Sequence, residues 1–213
     1  METRTREDIV RACGHLAARG WVANHDGNVS ARASAQRYLC TPGATHKSAL
    51  RAQDLLVTDA AGKILSGRGK TFSEYALHLA AYRARKDVAA VVHAHPPYAT
   101  ALGASGRELV TFLPEAVVSL GAKVPLVPLA APGAAATKAL EPFLAAYDAV
   151  LVAGNGVFAW GDDVEQALRR LELVEHLATV ATHAQVWGGP QALPQEMVAA
   201  LLEARKKAFP AKG

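Results

Sequence analysis

The chain has 213 residues, 51% hydrophobic and 20% charged, which suits one folded, soluble domain across 1–213. Two cysteines, Cys13 and Cys40, exclude a disulfide scaffold or a thiolate metal site, and no apolar run approaches the ~18 residues needed to cross a bilayer. The formal net charge of +4 comes from scattered basic residues without interleaved aromatics, which argues against nucleic-acid binding and suits a small anionic substrate slightly better.

Residues 1–8 are charged and carry no apolar signal core, so a cytoplasmic location is expected. Ile9, Cys13, Leu16 and Ala17 then share one face of a first helix, which Gly20 stops. A loop follows through Asn24-His25-Asp26-Gly27-Asn28, and short strands are expected near 38–41, 55–58 and 63–65, the last two joined by a hairpin. Residues 71–86 read as a helix entered through Thr71-Phe72-Ser73-Glu74, and 88–95 as a buried strand stopped by Pro96-Pro97. A shorter strand at 125–129 and a helix at 134–146 come next. Strands at 150–153 and 157–160 flank the turn Gly154-Asn155-Gly156. Asp162-Asp163 opens a long helix to about 186, acidic at its start as the helix dipole prefers. Gly188-Gly189-Pro190 breaks the chain before a last helix over 195–208. Helices and strands alternate irregularly, so the class is α/β or α+β with a central, largely antiparallel sheet.

The strongest chemical signal is Val91-Val92-His93-Ala94-His95-Pro96. Residues i and i+2 of a strand share a face, so both imidazoles point to one place, and neutral imidazole binds zinc, iron and similar cations. The bland reading is two histidines on a half-exposed strand end. Glu74 has two compatible readings as well. Thr71-x-x-Glu74 fits a capping box, and a carboxylate held at a helix start can face a nearby metal. In Asp26-Gly27-Asn28-Val29-Ser30 the glycine permits close backbone approach while Asn and Ser can donate to a ligand, although Gly-Asn is equally a common turn. Gly154-Asn155-Gly156 has the same ambiguity. His176 and His183 share a face of the long helix and read as surface or inter-subunit packing.

Six blocks in order give the chain a resemblance to the class II aldolase/adducin family over about residues 5–186. They are Gly27-Asn28-Val29-Ser30, Thr41-Pro42-Gly43, Ser73-Glu74 with Leu77-His78-Leu79-Ala80-Ala81-Tyr82, and Val91 to Thr100 around the histidine pair. Val124-Pro125 with Ala131-Pro132-Gly133, and Gly156-Val157-Phe158-Ala159-Trp160-Gly161, complete the set. The resemblance implies a three-layer α/β/α fold with a mostly antiparallel nine-stranded sheet flanked by helices, and a homotetramer with sites between subunits. It implies a divalent metal on His93 and His95, zinc first and iron or manganese as alternatives, with Glu74 moving the proton and joining the ligand set. The implied reaction is aldol cleavage of a small hydroxy-carbonyl, sugar-like substrate through a metal-stabilised enediolate.

Several positions depart from the family's pattern. Asn155 stands where a third metal histidine is usual, and an amide oxygen is a weaker, harder ligand. Gly43 replaces a hydroxyl residue and Phe72 a serine in the phosphate grip, while Asn28 and Ser73 remain, so Asn28, Gly43 and Ser73 are the expected substrate contacts and the substrate is expected to need no phosphate. Tyrosines that protonate the substrate in the sugar-phosphate aldolases have no counterpart in 112–118 or after Gln195. Two alternatives stay open: a non-haem iron oxygenase using His93, His95 and Glu74, and a non-catalytic interaction domain like the adducin head.

Overall fold

A computed structural model describes residues 2–209. Its central sheet has eight strands, formed by β1 (Asn28–Ser34), β2 (Arg37–Cys40), β3 (Leu56–Thr58), β4 (Ile64–Ser66), β5 (Ala90–Ala94), β8 (Leu126–Val127), β9 (Ala149–Val152) and β10 (Val157–Gly161). The order across it is β4-β3-β2-β1-β5-β10-β9-β8, antiparallel except for β8 beside β9. A separate antiparallel ribbon pairs β6 (Leu109–Val110) with β7 (Lys123–Val124). Among the described residues the main sheet therefore lacks the expected ninth strand. Pro125 supplies the reason: it separates β7 from β8 and has no N–H to offer a ladder, although its carbonyl accepts from Leu151 N at 2.9 Å.

Helices cover both faces. The first layer is α1 (Glu2–Ala18), α3 (Pro97–Ala104) and α6 (Val164–Ala184). Ile9, Leu16, Leu171, Val174 and Leu177 pack there against Val29, Val92, Leu151 and Ala159 of the sheet. The layer on the opposite face is α2 (Tyr75–Ala84) and α5 (Ala134–Leu144), whose Leu79, Leu140 and Leu144 share a cluster with Val91, Val150, Phe158 and Trp160. A central strand with helices on both sides has no reason to alternate apolar with polar residues. β5 is accordingly buried at every position. Asp163 caps α6, its side chain accepting from Gln166 N at 2.7 Å.

Two further α-helices are α4 (Pro114–Leu120) and α7 (Gln195–Ala208), the latter matching its expected bounds. No helix among the described residues is long and apolar enough to cross a membrane.

Candidate active site

Strand β5 ends where the sheet opens into a cleft. The alternation that puts Val91 on the α2/α5 face puts His93 there too, two residues on, and points His95 the same way. His93 is 1% exposed and lies opposite Asn28 of β1 and Phe158 of β10, with its ring stacked on Phe158 at 3.9 Å between centroids. Its Nδ1 is 2.9 Å from the Val157 carbonyl. A carbonyl only accepts, so Nδ1 carries the hydrogen and Nε2 carries a lone pair. Burial, with His95 as the next cause, pushes the His93 pKa down to about 3, which keeps the ring neutral.

His95 Nε2 lies 3.2 Å from His93 Nε2. A tetrahedral cation with bonds of ~2.0–2.1 Å separates two nitrogen ligands by about 3.3–3.4 Å, so the observed spacing fits a shared divalent cation. On its other side, His95 Nδ1 is 3.1 Å from Asp26 Oδ2. His95 N donates to Trp21 O at 2.9 Å, tying the strand end to the loop that follows α1.

Glu74 lines the same cleft of about 520 Å³ as both histidines. The capping box expected at Thr71–Glu74 does not form, because α2 begins at Tyr75 and no side chain caps it. Instead Glu74 Oε2 accepts from Ser73 Oγ at 2.7 Å and Asn28 Nδ2 at 3.3 Å. Among the described residues, no group of three or more His, Cys, Asp or Glu side chains has the geometry of a metal site, so Glu74 stands beside the histidine pair without closing on it. Asn155 sits in the tight turn between β9 and β10, where its N–H donates to Val152 O at 2.9 Å. Gly156, at φ +72°, presses that turn against β5: a Cβ there would fall 2.4 Å from Ala94 O and 2.5 Å from His95 Cδ2. Asn155 lines a second chamber of about 230 Å³, with Leu77, Val127, Leu129, Leu140 and Val152, which meets the cleft at Ser73 and Glu74.

The expected substrate contacts all border the cleft. Asn28 is buried and Ser73 exposed, and both donate to Glu74. Gly43 N is spent on Lys70 O at 2.8 Å, and a Cβ on Gly43 would sit 3.2 Å from Thr71 O, so glycine lets segment 70–72 lie close. Phe72 packs edge-on against His78 and Tyr75, at 4.9 and 5.2 Å. His176 and His183 are both exposed on α6, away from the cleft.

Asp26 lines the cleft, and Lys47, off its wall, is close enough to act electrostatically on His93. Lys47 is buried, its ammonium donating to His25 O at 3.1 Å and Thr45 O at 2.8 Å, and burial lowers its pKa. Asp26 had a visible signal, a carboxylate directly before Gly27-Asn28, but no spacing rule links it to His95. Lys47 had none.

Residues 7–182 match the family described as the Class II Aldolase and Adducin N-terminal domain. A similar relative is the methylthioribulose-1-phosphate dehydratase of Methylococcus capsulatus, 34% identical over 193 residues, 85% of this chain and 94% of that protein. The crystal structure of YgbL from Escherichia coli superposes with a TM-score of 0.87 at 28% identity, over 94% of this chain and 99% of that one. That of an L-fuculose 1-phosphate aldolase gives 0.85 at 25% identity, over 97% of both chains.

Proposed function

The chain belongs to the class II aldolase and adducin family, and from that premise we propose that it is a metal-dependent lyase acting on a small hydroxy-carbonyl, sugar-like compound with an apolar end. The observation that carries this reading is the convergence of the two Nε2 atoms, 3.2 Å apart, in the cleft that Glu74 lines. His93 and His95 would hold the cation, zinc first, since imidazole nitrogen suits it. Asn155, in the turn whose Gly156 packs against His95, would be a further, harder donor. Once bound, the cation supplies Lewis-acid polarisation of the substrate's hydroxyl and carbonyl oxygens.

The remaining work falls to the chain's own groups. Both bonds to Glu74 fall on Oε2, which leaves Oε1 to take a proton from a substrate hydroxyl or from the carbon beside a carbonyl. Asn28 and Ser73 hold the carboxylate in one orientation, so no reorganisation is needed as the proton moves. The apolar chamber beyond Glu74 gives a place to the part of the substrate that carries no oxygen.

Proton removal at the hydroxyl leads to carbon–carbon cleavage, and proton removal at carbon to loss of water. Cleavage is the first reading. Dehydration is the second, favoured by the dehydratase named among the relatives. Lyase assays separating aldehyde release from water loss, run beside metal analysis, test both. Glu74→Gln is expected to keep the metal and lose turnover by at least ~100-fold, the usual scale of a positioned general base. His93→Ala and His95→Ala are expected to fold and to purify without metal. Undiminished metal in both histidine variants would sink the assignment, and full activity in Glu74→Gln would remove Glu74 from its role.

A further inference from the structure

The two imidazoles of the cleft are fixed by unlike partners. His93 gives its Nδ1 hydrogen to a neutral carbonyl, whereas His95 Nδ1 faces the carboxylate of Asp26 at 3.1 Å. Asp26 is not a loose surface group. Its Oδ1 accepts from Ala23 N at 2.5 Å and its own N–H donates to Ala23 O at 3.0 Å, so the carboxylate belongs to a turn closed on itself. That turn is pressed onto the end of β5. Trp21 O takes the His95 N–H, and Gly27, at φ +69°, has no Cβ where one would lie 2.4 Å from Val22 Cγ1 and 3.1 Å from His93 O. The carboxylate is thus presented to the His95 ring by backbone geometry.

An imidazole can carry its single hydrogen on either nitrogen, and a free histidine side chain in water favours Nε2. On His95 that choice would let Nε2–H donate to the His93 Nε2 lone pair 3.2 Å away, a bond that competes with Asp26 and leaves no lone pair for a cation. We propose that Asp26 is the positioning residue of His95: it takes the Nδ1 hydrogen, selects that tautomer, and turns the Nε2 lone pair toward the point that His93 Nε2 also faces. An anionic partner also makes the ring a stronger donor than the carbonyl makes His93. The inference rests on the reading of the histidine pair as metal-holding, and Asp26 acts only through His95.

Three variants, Asp26→Ala, Asp26→Asn and His95→Ala, separate the claims. Metal-stripped proteins are titrated with zinc alone against a chromophoric chelator, and the His95 ring nitrogens are followed by long-range proton–nitrogen NMR without metal. Thermal unfolding checks that each variant is folded. Asp26→Ala should bind zinc about 10–100-fold more weakly, the usual effect of losing such a partner, and its His95 should shift toward the Nε2-protonated form. Asp26→Asn keeps an acceptor for the Ala23 N–H without the charge, so a loss of about 3–10-fold is expected. It also carries the test if Asp26→Ala does not fold. Wild-type zinc affinity and an Nδ1-protonated His95 in the folded Asp26 variants, with zinc lost in His95→Ala, overturn the positioning role and leave the metal pair standing. Wild-type zinc affinity in His95→Ala overturns the pair itself, and the inference with it.

Discussion

His78 shows at a single residue how the cleft is backed. It is fully buried on α2, its Nδ1 2.8 Å from Ser30 Oγ, which in turn lies 2.7 Å from Tyr82 OH. Burial, with His93 as the second cause, holds its pKa well below the usual value. Two histidines therefore stay neutral in the folded chain at a pH where the unfolded chain would charge them. The unfolded state binds more protons as pH falls below about 6.5, so stability must fall with it. Denaturant midpoints should drop between pH 7 and pH 4, and His78→Asn should flatten that slope. A slope unchanged in the variant would show that His78 does not carry it. At this scale the sequence was informative where chemistry follows a local period: His93 and His95 converge because strands alternate. It was silent on Lys47 and on the Asp26 contact, which depend on a loop meeting a strand distant in sequence.

Elements were legible where their hydrophobic period was intact and opaque where it was not. β1 carries no strand signature in the sequence, because Asn28, Ser30 and Arg32 put polar groups on a face that usually reads apolar. That face is satisfied by Glu74, His78 and Tyr82 rather than by carbon. α3 is hidden in the sequence because Pro96-Pro97 reads as a stop, whereas Pro97 begins the helix and its missing N–H costs nothing there. α4 also has a proline, Pro114, in its first turn.

The last helix was legible in its bounds but not in its attachment. α7 buries no residue of its own and is held by Arg205, which donates to Val118 O at 2.9 Å, to Ser119 O and to Asp148. Asp148 is 2% exposed and also receives Arg85 at 2.6 Å and Arg170 at 3.1 Å. Arg205→Ala leaves Asp148 two partners, so the core should survive while α7 detaches. Hydrogen exchange over 195–208 should rise at least ~10-fold with little change in the global midpoint, as for a unit of low local stability. Unchanged protection there would mean that other contacts hold the helix.

Over the whole molecule, two helix layers seal the sheet and leave the β5 end open, where the histidine pair and Glu74 meet solvent. What surrounds that opening bears on the substrate's charge. Ser73 and Asn28 already donate to Glu74, the Gly43 amide is spent on Lys70 O, and Phe72 offers no donor, so Lys70, which also lines the cleft, is the charged side chain left for an anion along segment 70–73. Each charge-assisted hydrogen bond withheld from a phosphate is worth about 1.5–3 kcal/mol. Sugar phosphates should accordingly bind weakly, and Phe72→Ser should tighten them by about 10–100-fold, the equivalent of one such bond. Micromolar affinity of the unaltered chain for L-fuculose 1-phosphate in a calorimeter would contradict this.

The partners of the two imidazoles have a further consequence. One is a strand carbonyl and the other belongs to a turn closed by its own backbone, so neither waits for a cation to be put in place. Cation exchange and folding should then be separate events. A chelator should strip the ion and extinguish turnover while the circular dichroism of the chain stays as it was, and added zinc should restore turnover within mixing time. Loss of helical signal on stripping, or a slow recovery on the timescale of refolding, would show instead that the ion is part of what holds the β5 end together.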